Sequence, residues 1–321
     1  MHLDSRLKAA AAVAASAGLL AALLAGGGAA SAGAAPLPNC TPATNIQGII
    51  DDSGSMAVND PDNYRADLLE ALAFFNKDKT MGATIFATSA AALFGPFPVG
   101  PNFTTIRNAL AGVTSSGVVG SGTDYDDGFA TANAQNPSAN ARIFLSDGEA
   151  TADPSLWQNP PIRAYVVGFG TADFTVLNQI AADTGGPPPF AVTNASQLRT
   201  VSQILNARIN CQTDPILIEK TFNRSGQTKG VGFRADGNTA QVLISWPTVG
   251  NVFKALFGGG KKAKKGSASI AKKKKKKVKV KSQRGESFLA LNLSKVKGKV
   301  KFRLRAKRLL GSETATIAII P

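Results

Sequence analysis

Between residues 36 and 211, short apolar runs of three to six residues alternate with segments of helical periodicity, and this alternation limits the fold more than any other feature of the chain. Residues 46–50 form a buried-strand run that ends at Asp51, and residues 62–77 follow with Leu68, Leu69, Leu72 and Phe75 at helical spacing. Further strands are expected at 84–87, 142–145, 164–168 and around 190–192. Helices are expected at 103–110, 127–135, 175–184 and 196–209, the last with Leu198, Val201, Ile204, Leu205 and Ile209 on one stripe. Strands that are apolar on both faces and separated by helices imply a doubly wound, mostly parallel sheet covered on both sides. In such α/β sheets ligands bind beyond the carboxyl ends of the strands.

Charge divides the chain. Residues 36–211 carry 8 basic and 15 acidic side chains, whereas residues 212–321 carry 26 and 5, so the net +15 conceals an acidic domain fused to a basic one. The one histidine is His2, which lies in a segment read as removed, so Ser-His-Asp and Cys-His mechanisms and histidine-based zinc sites are excluded. Residues 1–35 read as a secretory signal peptide. Arg6 and Lys8 precede an apolar run over 9–24, and small residues ending at Ala32 or Ala34 follow. That run falls short of the roughly 20 residues that span a bilayer, and no later segment is apolar enough, so no transmembrane segment is expected after signal removal. Export implies an oxidising compartment, where the only two cysteines, Cys40 and Cys211, are expected to form one disulfide. It would staple the start of the acidic domain to its end.

The polar residues at the expected strand ends fall into three groups: Asp51-Asp52-Ser53-Gly54-Ser55, Gly122-Thr123-Asp124 and Ser146-Asp147-Gly148. They offer carboxylate and hydroxyl oxygens and no nitrogen or sulfur, the set that a hard cation such as Mg²⁺ prefers. Gly54 is read as permitting a tight bend. Taken one at a time, Asp51 and Ser53 read equally well as helix caps, and Asp147-Gly148 as a turn. Asp124, Asp126 and Asp127 crowd the same rim, either as attracting charge or as acidic groups at a helix N-terminus.

Taken together, residues 45–211 resemble a von Willebrand factor A-type domain, with Asp51, Ser53, Ser55, Thr123 and Asp147 at the five positions of its metal-ion-dependent adhesion site. The resemblance implies Mg²⁺ or Mn²⁺ held directly by Ser53, Ser55 and Thr123, with Asp51 and Asp147 acting mostly through coordinated water. One coordination position would stay open for an acidic residue of a protein ligand. The Cys40–Cys211 pair also fits those domains of this family whose ends are tied by a disulfide.

Residues 212–321 read as an all-β sandwich or jelly-roll. Candidate strands lie at 216–222, 231–234, 240–246, 252–257, 277–281, 287–293, 300–304 and 314–320, with turn signals at 235–238 and 297–298. Residues 299–307 alternate strictly, which turns Val300, Phe302 and Leu304 toward a core and the cations outward. This segment resembles the small β-sandwich appended to secreted bacterial proteins. Residues 261–281 hold Lys-Lys-Ala-Lys-Lys and a run of six lysines, read as an inter-strand loop. Two readings stay open for it: a clamp on a polyanion (an anionic cell-envelope polymer, a phospholipid surface or extracellular nucleic acid) or a solubilising loop. Aromatic residues are absent from the run, so no sequence-specific nucleic acid is expected.

The expected function is that of a secreted or surface-associated adhesion module, not an enzyme, binding an acidic group of a protein ligand through its cation. The alternatives are a metal-dependent hydrolase and an assembly subunit of a surface complex.

Overall fold

The structure is a computed structural model. It describes residues 40–320 apart from 114–119, 149, 151, 160, 193–194, 213, 236–238, 249, 258–267, 270–276, 285–287, 295 and 297. The expected signal peptide (1–35), most of the Lys-rich segment, parts of both turn signals and the Leu198 side chain lie outside the described residues.

Strand β1 (Asn45–Asp51) sits at the centre of a six-stranded sheet with β2 (Thr80–Phe86) on one side and β4 (Ala141–Ser146) on the other. Beyond them lie β3 (Ala90–Pro98), β5 (Ala164–Phe169) and β6 (Phe190–Val192), in the order β3-β2-β1-β4-β5-β6. All pairings are parallel except β2 with β3. The alternation of side chains shows why these strands are apolar throughout. Ile46 and Ile50 of β1, Ile143 and Leu145 of β4, and Tyr165 and Val167 of β5 enter one core. Ile49, Phe144 and Val166, from the intervening positions, enter the other. In this second core Phe144 stacks between Phe86 (centroids 5.8 Å) and Phe129 (5.1 Å).

The helices are α1 (Met56–Asn59), α2 (Tyr64–Phe75), α3 (Val99–Ala111), α4 (Tyr125–Gln135), α5 (Ser155–Gln158), α6 (Phe174–Asp183) and α7 (Ala195–Ile209); five lie where helices were expected, and the one-turn α1 and α5 were not expected. Strand β3 was not expected, because Gly95, Pro96 and Pro98 argue against a strand. It forms because it is an edge strand, irregular in register against β2, where a missing N–H donor is tolerated.

The second half is a sandwich of antiparallel sheets. Its strands are β7 (Ile216–Phe222), β8 (Thr228–Ala235), β9 (Thr239–Ser245), β10 (Val252–Phe257), β11 (Ala268–Ser269), β12 (Lys277–Arg284), β13 (Phe288–Ser294), β14 (Gly298–Arg308) and β15 (Glu313–Ile320). One sheet is β10-β14-β8 and the other β11-β12-β13-β9-β15-β7. Phe222, Trp246, Phe253, Leu291, Phe302 and Ile317 fill the space between them. Within the Lys-rich segment, 277–281 lie in β12, where a strand was expected, while 268–269 form the short strand β11 in what was expected as loop.

Both halves belong to one compact unit, Gly33–Pro321, and the junction between them is a packed layer. Leu243 of β9 and Phe288 and Ala290 of β13 turn away from the sandwich core and meet Ala71, Phe74 and Phe75 of α2. Helix α2 therefore carries apolar residues all round, with ten of its twelve residues buried. Helix α7 buries its polar residues too. Asn206 accepts from Asn76 Nδ2 (2.8 Å) and donates to Gln241 of β9, whose Nε2 donates to the Phe75 carbonyl (3.4 Å).

Cys40 and Cys211 are joined by a disulfide across 171 positions, with Cα atoms 5.6 Å apart. Closing a loop of that length stabilises by about 5 kcal/mol on the chain-entropy account. The Cys40→Ser/Cys211→Ser double variant is expected to lose about that much unfolding free energy in urea denaturation. Glu70 of α2 accepts from Gln283 Nε2 of β12 at 2.7 Å across the junction. Burial pushes its carboxyl from the usual 4.5 up to about 7; the Asp67 charge adds, while Gln283 and Arg107 oppose. A carboxyl raised on folding favours the fold while protonated. Its contribution is full below about pH 4.5 and is lost as the pH rises through about 7. Glu70→Gln should therefore raise the melting temperature by about 2–4 °C at pH 8 and leave it unchanged near pH 4.

Candidate metal centre

The carboxyl end of β1 delivers Asp51 into the interior, and the next residues turn sharply toward α1. Asp51 is fully buried, and its two oxygens are held separately. Oδ1 accepts from Ser53 N (2.8 Å) and Oδ2 from Ser146 Oγ (2.6 Å). The Ser53 and Ser55 hydroxyls face each other at 3.0 Å, the first buried and the second exposed at the rim. From the end of β4, Asp147 reaches the same place. Its charge raises the Asp51 carboxyl, and its own Oδ2 accepts from Asn59 Nδ2 at 2.9 Å. Burial is the main reason that Asp51 stands at about 6 rather than 3.8, with the hydrogen bonds from Ser146 and Ser53 opposing and the Asp147 charge adding.

Thr123 lies half-buried in the segment that leads into α4. That segment is pinned on both sides: Gly122 N donates to Thr88 Oγ1 (2.8 Å) and Asp124 N to the Ala87 carbonyl (2.7 Å). Gly54 N donates to the Ser121 carbonyl (3.1 Å), which joins the Asp-Asp-Ser-Gly-Ser turn to the Thr123 segment. This bond explains Gly54 better than the expected bend does, because its backbone lies outside the left-handed region. The glycine that its conformation requires is Gly148, at φ +95°, where a Cβ would stand 2.6 Å from the Asp173 carbonyl.

Asp124, Asp126 and Asp127 each serve the backbone. Asp124 Oδ1 accepts from Asp127 N (3.0 Å) and caps α4, Asp126 Oδ1 accepts from Asp153 N (2.6 Å), and Asp127 Oδ2 accepts from Ala90 N (2.5 Å). They bind neighbouring loops to the rim.

Several residues shape the site in ways the sequence does not reveal, although Ser146 and Asp52 lie within its polar strand-end groups. Ser146 donates its one proton to Asp51 and therefore accepts from both Tyr125 OH (2.6 Å) and Gly148 N (3.1 Å), so one hydroxyl orients three groups. Beneath the rim, Asp52 points to the opposite side and meets Arg65 Nη2 of α2 at 3.0 Å, while Nη1 of the same guanidinium meets Asp60 Oδ2 at 3.0 Å. All three side chains are buried. A strand-end motif read in isolation cannot reveal these partners, because each comes from a distant element.

Among the described residues no three His, Cys, Asp or Glu side chains gather to hold a metal, so a nitrogen- and sulfur-rich zinc site is not what is built. The assembled donors are two carboxylates and two serine hydroxyls, with the Thr123 segment alongside. One observation tests whether a cation suits them. Asp147 Oδ1 is buried and has no hydrogen-bond partner. A buried carboxylate oxygen left without a donor is costly, and a bound cation supplies the missing partner. The residues fit a hard divalent ion.

No protein-family model matches the sequence, and no curated protein matches it. Among solved structures the chain is similar to proximal thread matrix protein 1 from the mussel byssus, at 19% identity over 53% of this chain and 46% of that chain, with a TM-score of 0.43. The mussel protein also has a structure with zinc occupying its MIDAS motif. The chain is similar as well to the conserved hypothetical protein BatB from Bacteroides thetaiotaomicron, at 15% identity over 51% of this chain and 98% of that one, TM-score 0.43. A von Willebrand factor type A structure from Catenulispora acidiphila gives 11% identity over 87% of this chain and 63% of that one, TM-score 0.43. The match spans about half the length of the mussel protein. What this chain binds is therefore read from its own residues.

Arg65 neutralises two buried carboxylates at once, so Arg65→Met should destabilise the protein by about 3–5 kcal/mol, read from urea unfolding.

Proposed function

We propose that the chain is a metal-dependent interaction module of the von Willebrand factor A type, secreted or held at the cell surface. The unpartnered Asp147 Oδ1, buried beside Asp51 and the paired hydroxyls of Ser53 and Ser55, carries this reading. Asp51, Ser53, Ser55, Thr123 and Asp147 would hold Mg²⁺ or Mn²⁺, whose oxygen preference suits carboxylates and hydroxyls. The bound ion would supply a positive centre at the rim, where the exposed Ser55 marks the side open to a partner. An Asp or Glu of a protein ligand is the group such a centre attracts.

The chain's own residues prepare that role. Ser146 and the Ser53 amide hold the Asp51 oxygens in place, and Asn59 orients Asp147. Arg65 takes up the Asp52 charge, so the acidic rim is not overloaded from below. The proposal is one of binding rather than turnover, since the chain's only histidine is His2. The Cys40–Cys211 disulfide supports an oxidising extracellular setting. Among the described residues, no helix is long and apolar enough to cross a membrane.

Mg²⁺ at about a hundred times its dissociation constant should stabilise the wild type by about 2.7 kcal/mol, a melting shift of several degrees. Asp147→Asn should show no shift, and Ser146→Ala should weaken Mg²⁺ binding by about tenfold in calorimetric titration. An equal Mg²⁺ shift in wild type and Asp147→Asn would overturn the proposal. Capture of an Asp-bearing peptide, but not of its Asn counterpart, should disappear with chelator.

A further inference from the structure

The outer face of the three-stranded sheet carries a row of cations that the metal site does not use. Strand β14 buries Val300, Phe302, Leu304 and Ala306 against the sandwich core, and it exposes Lys299, Lys301, Arg303, Arg305 and Lys307. Outward positions recur about every 6.8 Å along a strand, so the row extends over about 27 Å. The register sets Arg234 of β8 opposite Lys299 and Lys254 of β10 opposite Arg305, and both are exposed. Beside the middle of the row, β8 presents Gly232 opposite Lys301 and Gly230 opposite Arg303. A Cβ at Gly230 would meet nothing within 4 Å, and at Gly232 the nearest atom would be 3.6 Å away, so a shallow trough borders the cations. The three strands contain no Asp or Glu.

The ordinary reasons for lysine on a strand do not account for this face. Charges on edge strands prevent unwanted pairing, but β14 lies between β10 and β8 with its backbone bonded on both sides. Solvation alone requires no single sign. Like charges directly across a sheet are destabilising, and Arg305 faces Lys254. A bound polyanion removes that repulsion.

We propose that this face binds a linear acidic polysaccharide running along β14, its carboxylates held by the guanidinium and ammonium groups and its backbone lying in the trough over Gly230 and Gly232. Arginine forks take carboxylates in pairs of hydrogen bonds, which suits Arg303 and Arg305 at the centre of the row. A lipid surface fits less well, because the outward apolar side chains of these strands, Val252 and Leu256 of β10, are half-buried and offer little to enter the acyl region. Single-stranded nucleic acid also fits less well, because no aromatic side chain occupies an outward position to stack on a base.

The test measures binding of the full chain to polygalacturonate at about 0.1 M salt, alongside single-stranded DNA and phosphatidylglycerol vesicles. Lys301→Gln/Arg303→Gln should lower polygalacturonate affinity at least tenfold and reduce the slope of log affinity against log salt by about 1.5. Arg107→Gln/Arg163→Gln removes two exposed cations of the α/β half and should change affinity less than twofold. A third variant replaces lysines 272–276 by Gln and should leave most of the affinity intact. Equal loss in the two double variants, loss confined to the lysine-run variant, or stronger binding to DNA or vesicles would each overturn the proposal. Chelator should leave polygalacturonate binding unchanged, so this proposal and the metal reading stand or fall separately. Far-ultraviolet circular dichroism and melting temperature confirm that each variant is folded.

Discussion

Helix α2 is buried from both sides, and most of the structure depends on that. Its Leu68, Leu69 and Leu72 close one core of the parallel sheet, while Ala71, Phe74 and Phe75 receive Leu243, Phe288 and Ala290 from the large antiparallel sheet. Each apolar side chain so covered contributes about 1.5–3 kcal/mol, so neither half could withdraw without exposing several of them to water. The same helix carries Arg65, which neutralises Asp52 directly beneath the candidate metal rim. The junction and the site therefore share one element, and the helix whose packing unites the two halves also sets the charge balance of the rim.

At the rim itself the arrangement is one of concentrated negative charge held by directed hydrogen bonds. Asp51 is fixed by a serine hydroxyl from β4 and an amide of its own turn, Asp147 by an asparagine from α1. Among the described residues, neither carboxylate has a cationic side chain as a hydrogen-bond partner, and one oxygen of Asp147 has no donor. Two acids held close together in a buried place favour a divalent cation over solvent. The basic face of β14 is the opposite case: seven cations on an open sheet surface, counting Arg234 and Lys254, with no acid on the same strands. The two surfaces have opposite charge and use different chemistry.

Much of this was legible in the residues. The alternation of apolar runs and helical patterns gave the α/β half nearly strand for strand, because strands covered on both faces must be apolar at every position. The strict alternation of Lys and Arg with Val, Phe and Leu in residues 299–307 correctly placed β14 with one face on a core. Other features were hidden for physical reasons. Strand β3 was disguised by prolines that only an edge position tolerates. Strand β13 was expected, but not that both its faces are covered: its Phe-Leu-Ala-Leu-Asn-Leu run does not alternate because one face enters the sandwich and the other meets α2. Asn59 and Arg65 are unremarkable in sequence and Ser146 reads only as part of a strand-end group; their roles come from partners 88, 13 and 95 positions away.

The chain by itself determined the kinds of donors available, the class of the first half, the pairing of its only two cysteines and the separation of acidic from basic segments. These follow from composition and local periodicity, which act over a few residues. Tertiary structure alone decided which carboxylate oxygens are satisfied, that α2 and α7 would be covered by a second sheet, and that cations from three strands would share one face. Those outcomes depend on contacts between residues far apart in sequence, and no local pattern encodes which distant surface will cover a given side chain.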